Sequence, residues 1–348
     1  MRKLRQRRSR AQKRPMPLWL RLARLGIVII VPLVALSLII GTVSALFRRP
    51  APPPPVVQAP AEPSFPPLPL KQEITTLTRA IQGLVPKGEA DKLTLYVMLY
   101  EPDQGSYVDI NANTAAAAAS LIKMPILVAF LEQVDQQTIA LDEMLQLTED
   151  VKAPEAGILQ DRPVGTKVPA LEVATLMITE SDNTATNMMI KRLGDIEKIN
   201  EQFSKWGMQQ TRLRNKLPDL QGTNTTTAKE LVELFSKVEQ NQLLSLRSRD
   251  LFMDILSRTK NNTLLAAPLG EGVRIRHKTG TIASLVGDTA MIDTPNGKRY
   301  FLTVMVKRPP EDGTAEELIR NISTIVYDYF QAGKAPLPPT SLTTEVLN

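Results

Sequence analysis

Apolar residues recur with two different periods along this chain. From about residue 120 to 265 they return every three or four positions, in segments such as MPILVAFLEQV and AKELVELFSKV. This spacing is typical of amphipathic helices. Short apolar runs that are typical of strands flank this region: KLTLYVMLYEPDQGSYVDINAN precedes it, and VRIRHKTG, ASLVGDTAMID and KRYFLTVMVK follow it. The pattern therefore predicts a mainly helical middle between two groups of strands.

The two groups of strands have a simple common solution. Turn sequences at 103–105 and 294–297 predict hairpins, a first helix is expected over 72–84, and Thr314-x-x-Glu317 has the form of a capping box that opens a final helix. We therefore predict an α/β (α+β) fold, with a mostly antiparallel sheet flanked by helices and a helical lobe beside it. A binding site would lie in the cleft between lobe and sheet. One folded domain is expected over residues 71–332.

The segment before this domain has a different pattern. Residues 25–47 form an uncharged apolar run, and residues 1–24 carry ten basic residues and no acidic one. Such a run is long enough to cross the roughly 30 Å hydrocarbon core of a bilayer. It predicts a single transmembrane helix after a basic cytoplasmic tail, with the domain on the periplasmic or extracellular side of a bacterial inner (cytoplasmic) membrane. The alternative is a cleaved signal peptide, since VSA at 43–45 offers small residues at a cleavage site.

Composition changes this picture in two places. Residues 48–70 are rich in proline and are expected to form an extended linker, and 333–348 is expected to be a loose tail. Twelve of the 42 Lys and Arg residues precede residue 50, which leaves 30 against 36 Asp and Glu. The basic charge therefore belongs to the N-terminal segment, and a nucleic-acid partner is not expected.

Residue counts exclude several kinds of chemistry. The chain has one histidine, His277, and no cysteine, so a zinc site is not expected, and neither is another metal or a cofactor. A Ser-His-Asp triad would have to use His277, which lies in a strand pattern beside Lys278. The G-x-S-x-G, Walker A and G-x-G-x-x-G motifs are absent. An acyl-transfer enzyme of this composition would need a lysine or a carboxylate as its base.

Ser120 and Lys123 are suited to that chemistry. Ser120 is expected at the start of a helix, where the helix dipole favours a developing alkoxide, and Lys123 returns to the same face one turn later. A buried lysine near other cations can lose its proton and accept one from a serine. The motif alone is weak, because Ser257-x-x-Lys260 is a second copy that reads as a solvated helix end.

Two further motifs add weight to the first copy. Ser181-Asp-Asn183 follows an apolar helix pattern, and Lys278-Thr-Gly280 lies in a strand pattern. Singly, the first could be a helix cap and the second a strand end. In this order, however, the three motifs are the signature of class A β-lactamases and penicillin-binding proteins. Over residues 72–332 the chain resembles the class A β-lactamase-like serine hydrolases.

The resemblance implies a role for each motif residue. Ser120 would be the acylated nucleophile, and Lys123 its base or proton relay. Ser181 would pass a proton to the leaving nitrogen, and Asn183 would bind the side-chain amide of the substrate.

The strand motif would hold the rest of the substrate. Lys278 and Thr279 would bind its carboxylate, and Gly280 would let the strand approach closely. The backbone N–H groups of Ser120 and Thr281 would form the oxyanion hole.

One position departs from the family pattern. Efficient class A enzymes carry a glutamate four residues before an asparagine, and this glutamate activates the deacylating water. Counting back from the threonines at 225–227 makes Asn215 the matching, substrate-binding asparagine and puts Thr211 in place of the glutamate. Loss of a general base would slow deacylation by about 10²–10⁴-fold.

These observations lead to one main expectation and two alternatives. The main expectation is a membrane-anchored serine β-lactamase-type acyl hydrolase that acts on β-lactams with slow release. The alternatives are a penicillin-binding D,D-peptidase or transpeptidase acting on cell-wall peptides, and a non-catalytic envelope module.

Overall fold

The computed structural model describes residues 67–86, 88, 92–310 and 312–332. The predicted basic tail (1–24), transmembrane helix (25–47), most of the linker and the tail at 333–348 lie outside these residues. Within the described part of the chain, no helix combines the length and the apolar character needed to cross a membrane.

A six-stranded sheet, in the order β1-β3-β2-β10-β9-β8, forms the centre of the fold. All neighbouring pairs are antiparallel except β1 with β3, so the predicted sheet is confirmed. Strands from both ends of the domain meet where β2 pairs with β10. Its strands are β1 (Gln72–Glu73), β2 (Thr94–Glu101), β3 (Ser106–Ile110), β8 (Arg274–Ile282), β9 (Leu285–Asp293) and β10 (Arg299–Lys307).

Helices cover both faces of this sheet. They are α1 (Thr75–Gly83), α2 (Lys123–Asp135), α3 (Ala170–Thr179), α4 (Asn183–Arg192), α5 (Asp195–Lys205), α6 (Ala228–Glu239), α7 (Leu246–Ser257) and α8 (Thr314–Ala332). Successive residues of β10 show the arrangement, because strand side chains alternate between faces. Phe301 and Met305 pack into the core shared with the helical lobe, whereas Leu302 and Val304 pack into the core shared with α1 and α8.

The predicted helical middle differs from the structure in its continuity. In the structure this region contains six helices, α2 to α7, together with short 3₁₀ turns and strands of two small antiparallel ribbons, one of which begins just before it at Ala116. The ribbons pair β4 (Ala116–Ala117) with β7 (Thr225–Thr226) and β5 (Met144–Gln146) with β6 (Lys167–Pro169). Two-residue and three-residue strands are too short to show an alternating pattern, and so periodicity could not predict them.

The start of the last helix also differs in its cap. The helix begins at Thr314 itself, and the Thr314 N–H donates to Oδ1 of Asp312 over 2.9 Å. Thr314 is therefore the first residue of the helix, one position after the N-cap that the predicted capping box assigned to it, and Asp312 accepts from its N–H group.

Candidate active site

Ser120 lies in a 3₁₀ turn (Ala119–Ile122) that leads directly into α2. Ala119, just before it, has a φ of 45°, a left-handed conformation that is unfavourable for a residue with a side chain. Lys123 is the first residue of α2, and its Nζ is 3.1 Å from Ser120 Oγ. The predicted return of Lys123 to the face of Ser120 is confirmed.

Lys123 is fully buried, and its amine has only neutral oxygen atoms as described hydrogen-bond partners. Besides Ser120 Oγ, these are Ser181 Oγ at 3.2 Å, the Ser181 carbonyl at 2.5 Å and Asn183 Oδ1 at 2.9 Å. Burial holds the pKa of Lys123 well below its usual value, and the positive charge of Lys278 lowers this pKa further, against a smaller opposing effect of Asp182. A neutral amine in this position can accept a proton from a serine hydroxyl.

The turn that carries Ser181 is fixed by Asp182. The Asp182 carboxylate caps α4 by accepting from the Ala185 N–H over 2.8 Å, and it also accepts from the Ile158 and Leu159 N–H groups. Ser181 has a φ of 55°. The reading of this motif as a helix cap is thus confirmed, and the two neighbours of Asp182 contact Lys123, as a catalytic role would require.

Lys278 approaches Ser181 from strand β8, at one edge of the sheet. Its Nζ is 3.1 Å from Ser181 Oγ and 2.6 Å from the Thr279 carbonyl. Burial lowers the pKa of Lys278 to about 8, with Asp288 opposing the shift. Ser181 Oγ is therefore shared between two buried amines.

Gly280 brings strand β8 against the turn of Ser120. A Cβ at this position would lie 3.0 Å from the Ser120 nitrogen and 2.9 Å from the Leu121 nitrogen. A side chain would be too close to both backbone atoms, so the predicted close approach at Gly280 is confirmed.

One cleft brings most of the predicted residues together. Asn183 lies beside it through its contact with Lys123. Its lining comprises Ser120, Ala156, residues 178–181, residues 259–261 and residues 278–281, which include Thr279, Gly280 and Thr281.

The structure does not bring Asn215 or Thr211 into this network. Asn215 is exposed, and its side-chain amide donates to Thr223 Oγ1 over 2.6 Å. Thr211 is fully buried, and its hydroxyl lies 2.6 Å from Glu230 Oε2 and 2.9 Å from Thr226 Oγ1. Both residues belong to a separate cluster of loop contacts.

Leu217 is tied instead to Asn187 on helix α4, and sequence reasoning missed it. Asn187 holds Leu217 from both sides, since its Oδ1 accepts from the Leu217 N–H over 2.9 Å and its Nδ2 donates to the Leu217 carbonyl over 2.7 Å. Asn187 lies one helical turn after Asn183, on the same face of α4. No motif marks an ordinary leucine, and only this long-range contact identifies its position.

His277 faces away from Lys278, as neighbouring strand residues do. Its Nδ1 lies 3.1 Å from both carboxylate oxygens of Asp288, and its Nε2 lies 3.1 Å from Asn262 Oδ1. None of these described partners belongs to the Ser120 network. Over the described residues, no group of three or more His, Cys, Asp or Glu side chains is arranged to hold a metal ion.

Comparisons with known proteins agree with this geometry. A sequence model described as the Beta-lactamase enzyme family matches residues 76–330. β-Lactamase VEB-1 of Pseudomonas aeruginosa is 23% identical over 272 residues, which cover 73% of this chain and 90% of VEB-1.

Solved structures include a more similar protein. PBP-A is 47% identical, with a TM-score of 0.74 over 76% of this chain and 99% of PBP-A. A leucine-to-glutamate variant of PBP-A, solved as an acyl-enzyme complex with penicillin G, is 46% identical with a TM-score of 0.73 over 77% of this chain and 100% of the variant. The chain therefore belongs to the β-lactamase enzyme family and is a serine hydrolase of the class A β-lactamase type.

Proposed function

We propose that this protein opens the β-lactam amide through an acyl-enzyme on Ser120 and releases the acyl group slowly. The position of the Lys123 amine carries the proposal. It is buried, has no described carboxylate partner, and lies within 3.2 Å of the hydroxyls of both Ser120 and Ser181.

Acylation follows from this arrangement. Neutral Lys123 accepts the Ser120 hydroxyl proton as Oγ attacks the carbonyl carbon, and the Ser120 and Thr281 N–H groups stabilise the oxyanion. Lys123 then passes the proton through Ser181 Oγ to the ring nitrogen as the C–N bond breaks. The product of this step is an ester on Ser120.

Substrate orientation uses the remaining motif residues. Asn183 would bind the side-chain amide of the substrate, while Lys278 and Thr279 would bind its carboxylate. Protonated Lys278 is suited to this because its ammonium is in the cleft beside Ser181.

Slow release follows from the residue that Asn187 holds, one helical turn from Asn183. We assign the place of the deacylating base to Leu217, which is held by Asn187, and not to Thr211. The buried loop carboxylates have other partners: Asp219 accepts from Thr223 and Asn224, and Glu230 accepts from Gln210 and Thr211. A leucine side chain cannot activate water. The similar PBP-A variant, in which a leucine is changed to glutamate, was solved with penicillin G as an acyl-enzyme.

The same observation favours a second candidate, a transpeptidase acting on cell-wall peptides, over a D,D-peptidase, which also releases its acyl group to water. An amine that accepts the acyl group in transpeptidation is a stronger nucleophile than water. The non-catalytic alternative is not favoured, because Ser120, Lys123, Ser181 and Lys278 form one connected network.

One experiment tests the proposal. The full-length chain is incubated with a chromogenic cephalosporin while colour release and intact protein mass are followed, with Ser120→Ala as the control. We expect a mass adduct that persists, slow colour release after the first turnover, and neither in Ser120→Ala. Absence of any adduct in the wild-type chain would contradict the proposal.

We also propose that residues 25–47 anchor the protein in the bacterial inner membrane. Support comes from the uncharged run and its basic flank. Carbonate extraction of membranes, combined with the intact mass of the extracted chain, separates an anchor from a cleaved signal peptide.

A further inference from the structure

The second S-x-x-K copy brings its lysine, but not its serine, to the cleft. Ser257 is exposed, and its hydroxyl donates to the Asp254 carbonyl over 2.7 Å. Lys260 lines the same cleft as Ser120 and Lys278. This motif is therefore no second catalytic pair, yet its lysine has a position that the motif alone would not predict.

The backbone around Lys260 is fixed between the two walls of the cleft. The Thr259 hydroxyl donates to the His277 carbonyl of β8 over 2.6 Å, and the Lys260 N–H donates to the Thr179 carbonyl of α3 over 3.2 Å. The side chain of Lys260 is 70% exposed. The backbone of Lys260 is therefore held in place, while its exposed side chain can change rotamer.

Lys260 has an anionic partner in the same cleft. Its ammonium forms an ion pair with the carboxylate of Glu180, the residue directly before Ser181. Among the described residues that line the cleft, the charged side chains are Glu180, Lys260 and Lys278. Without Lys260, the carboxylate of Glu180 would repel an anionic substrate.

We propose that Lys260 is a second carboxylate-binding cation of the substrate site, which leaves Glu180 and pairs with the substrate carboxylate on binding. The inference rests on the proposed function, because penicillin G carries such a carboxylate. Lys278 already shares its ammonium between Ser181 Oγ and the Thr279 carbonyl, so it can give an incoming anion only part of its hydrogen-bonding capacity.

The exchange of partners is feasible because Lys260 is exposed and its ammonium stays in contact with water, although the Glu180 side chain is only 20% exposed. Ion pairs of an exposed lysine contribute little free energy, and the same limit applies to the new ion pair between Lys260 and the substrate. We therefore expect effects of about two- to five-fold on the second-order rate constant of acylation. They should shrink as ionic strength rises, because salt screens exposed charges.

The test compares penicillin G with its methyl ester, which lacks the negative charge, using the full-length chain and the mass adduct as the readout. Lys260→Met should slow acylation by penicillin G about two- to five-fold and leave the ester unchanged. Glu180→Gln should speed acylation by penicillin G, because the lysine is then free. In the double variant the gain from Glu180→Gln should disappear.

An ion pair away from the cleft provides the matched control. Lys198 and Glu201 form an exposed pair on α5, so Lys198→Met and Glu201→Gln make the same changes in net charge. Neither should alter the ratio of acid to ester rates.

The outcomes separate the inference from the proposed function. If an adduct forms but the ratio of the acylation rates of penicillin G and its methyl ester is the same in wild type and Lys260→Met, the inference alone is overturned. A gain from Glu180→Gln that survives in the double variant also overturns it, because Glu180 would then act by direct repulsion. Absence of an adduct in the wild-type chain overturns the proposed function and this inference with it.

Discussion

Two regions of this protein bury ionisable groups of opposite kinds, amines in one and carboxylates in the other. In the cleft, the amines of Lys123 and Lys278 are buried among neutral hydroxyl and carbonyl oxygens. In the loop cluster around Thr211, the carboxylates of Asp219 and Glu230 are buried and accept hydrogen bonds from neutral N–H and O–H donors. Both solutions satisfy a buried ionisable group.

The two regions differ in the hydrogen-bond partners of the buried ionisable group. The partners of Glu230 are backbone N–H groups and one threonine hydroxyl, all occupied in holding the loop. The partners of Lys123 include two serine hydroxyls that border an open cleft. Burial of an ionisable group therefore does not identify a catalytic residue, whereas burial beside a nucleophile that substrate can reach does.

The largest expected effect tests the cleft. Lys123→Met keeps the length of the side chain and removes the proton acceptor, so acylation by penicillin G should fall by about 10²–10⁴-fold. Thermal unfolding is the control for the fold, because the variant no longer buries an amine but also removes the hydrogen bonds to the Ser181 carbonyl and Asn183 Oδ1. The adduct is followed by intact mass. Acylation at the wild-type rate would mean that Lys123 is not the base.

The next effect distinguishes the two regions directly. Leu217→Glu places a carboxylate at the position proposed for the deacylating base and should speed deacylation by about 10²-fold. Thr211→Glu should not, because Thr211 is fully buried against Glu230, where a second carboxylate would destabilise the fold.

Release of penicillin G from the acylated chain, followed by mass, measures both rates. Melting temperatures of the two variants are compared in parallel. If Thr211→Glu speeds release and Leu217→Glu does not, Thr211 occupies the position of the deacylating base, as the sequence predicted.

This contrast also shows where sequence reasoning succeeds. Ser120, Lys123, Ser181 and Lys278 could be predicted because three motifs occur together in the order of a known family signature, although each motif alone fits an ordinary helix or strand end. The sequence also predicted that strands from both ends of the domain share one sheet, and the β2–β10 pairing confirms this.

Sequence reasoning fails where position depends on the path of a loop. Counting residues back from the threonines at 225–227 led to Thr211, but the loop turns so that Asn187 holds Leu217. Leucine has no chemistry to recognise, and the contact joins residues thirty positions apart. Lys260 was missed for a similar reason, because its place in the cleft depends on bonds to α3 and β8.

The pH dependence of acylation should report both buried amines. The rate with penicillin G should rise with pH as Lys123 loses its proton and becomes a base. Above pH 8 it should fall, by up to about tenfold per pH unit, because the pKa of Lys278 is about 8 and the neutral amine no longer attracts the substrate carboxylate.

The methyl ester of penicillin G provides the comparison. It should retain the rising limb and lose most of the falling one, because it has no carboxylate to bind. If the acylation rates of the acid and the ester fall equally above pH 8, Lys278 does not bind the substrate carboxylate.

The smallest effect on chemistry is expected in the loop cluster. Asp219→Asn replaces one acceptor oxygen with an NH₂ group facing the donors of Thr223 and Asn224, and should lower the free energy of unfolding by about 1–3 kcal/mol. Acylation of the folded variant by penicillin G should keep the wild-type rate, since Asp219 holds a loop and exchanges no proton with Ser120. Denaturant unfolding and the mass adduct are measured on the same preparation. A large loss of acylation at unchanged stability would make this carboxylate part of the catalytic network, and the distinction between the two buried regions would fail.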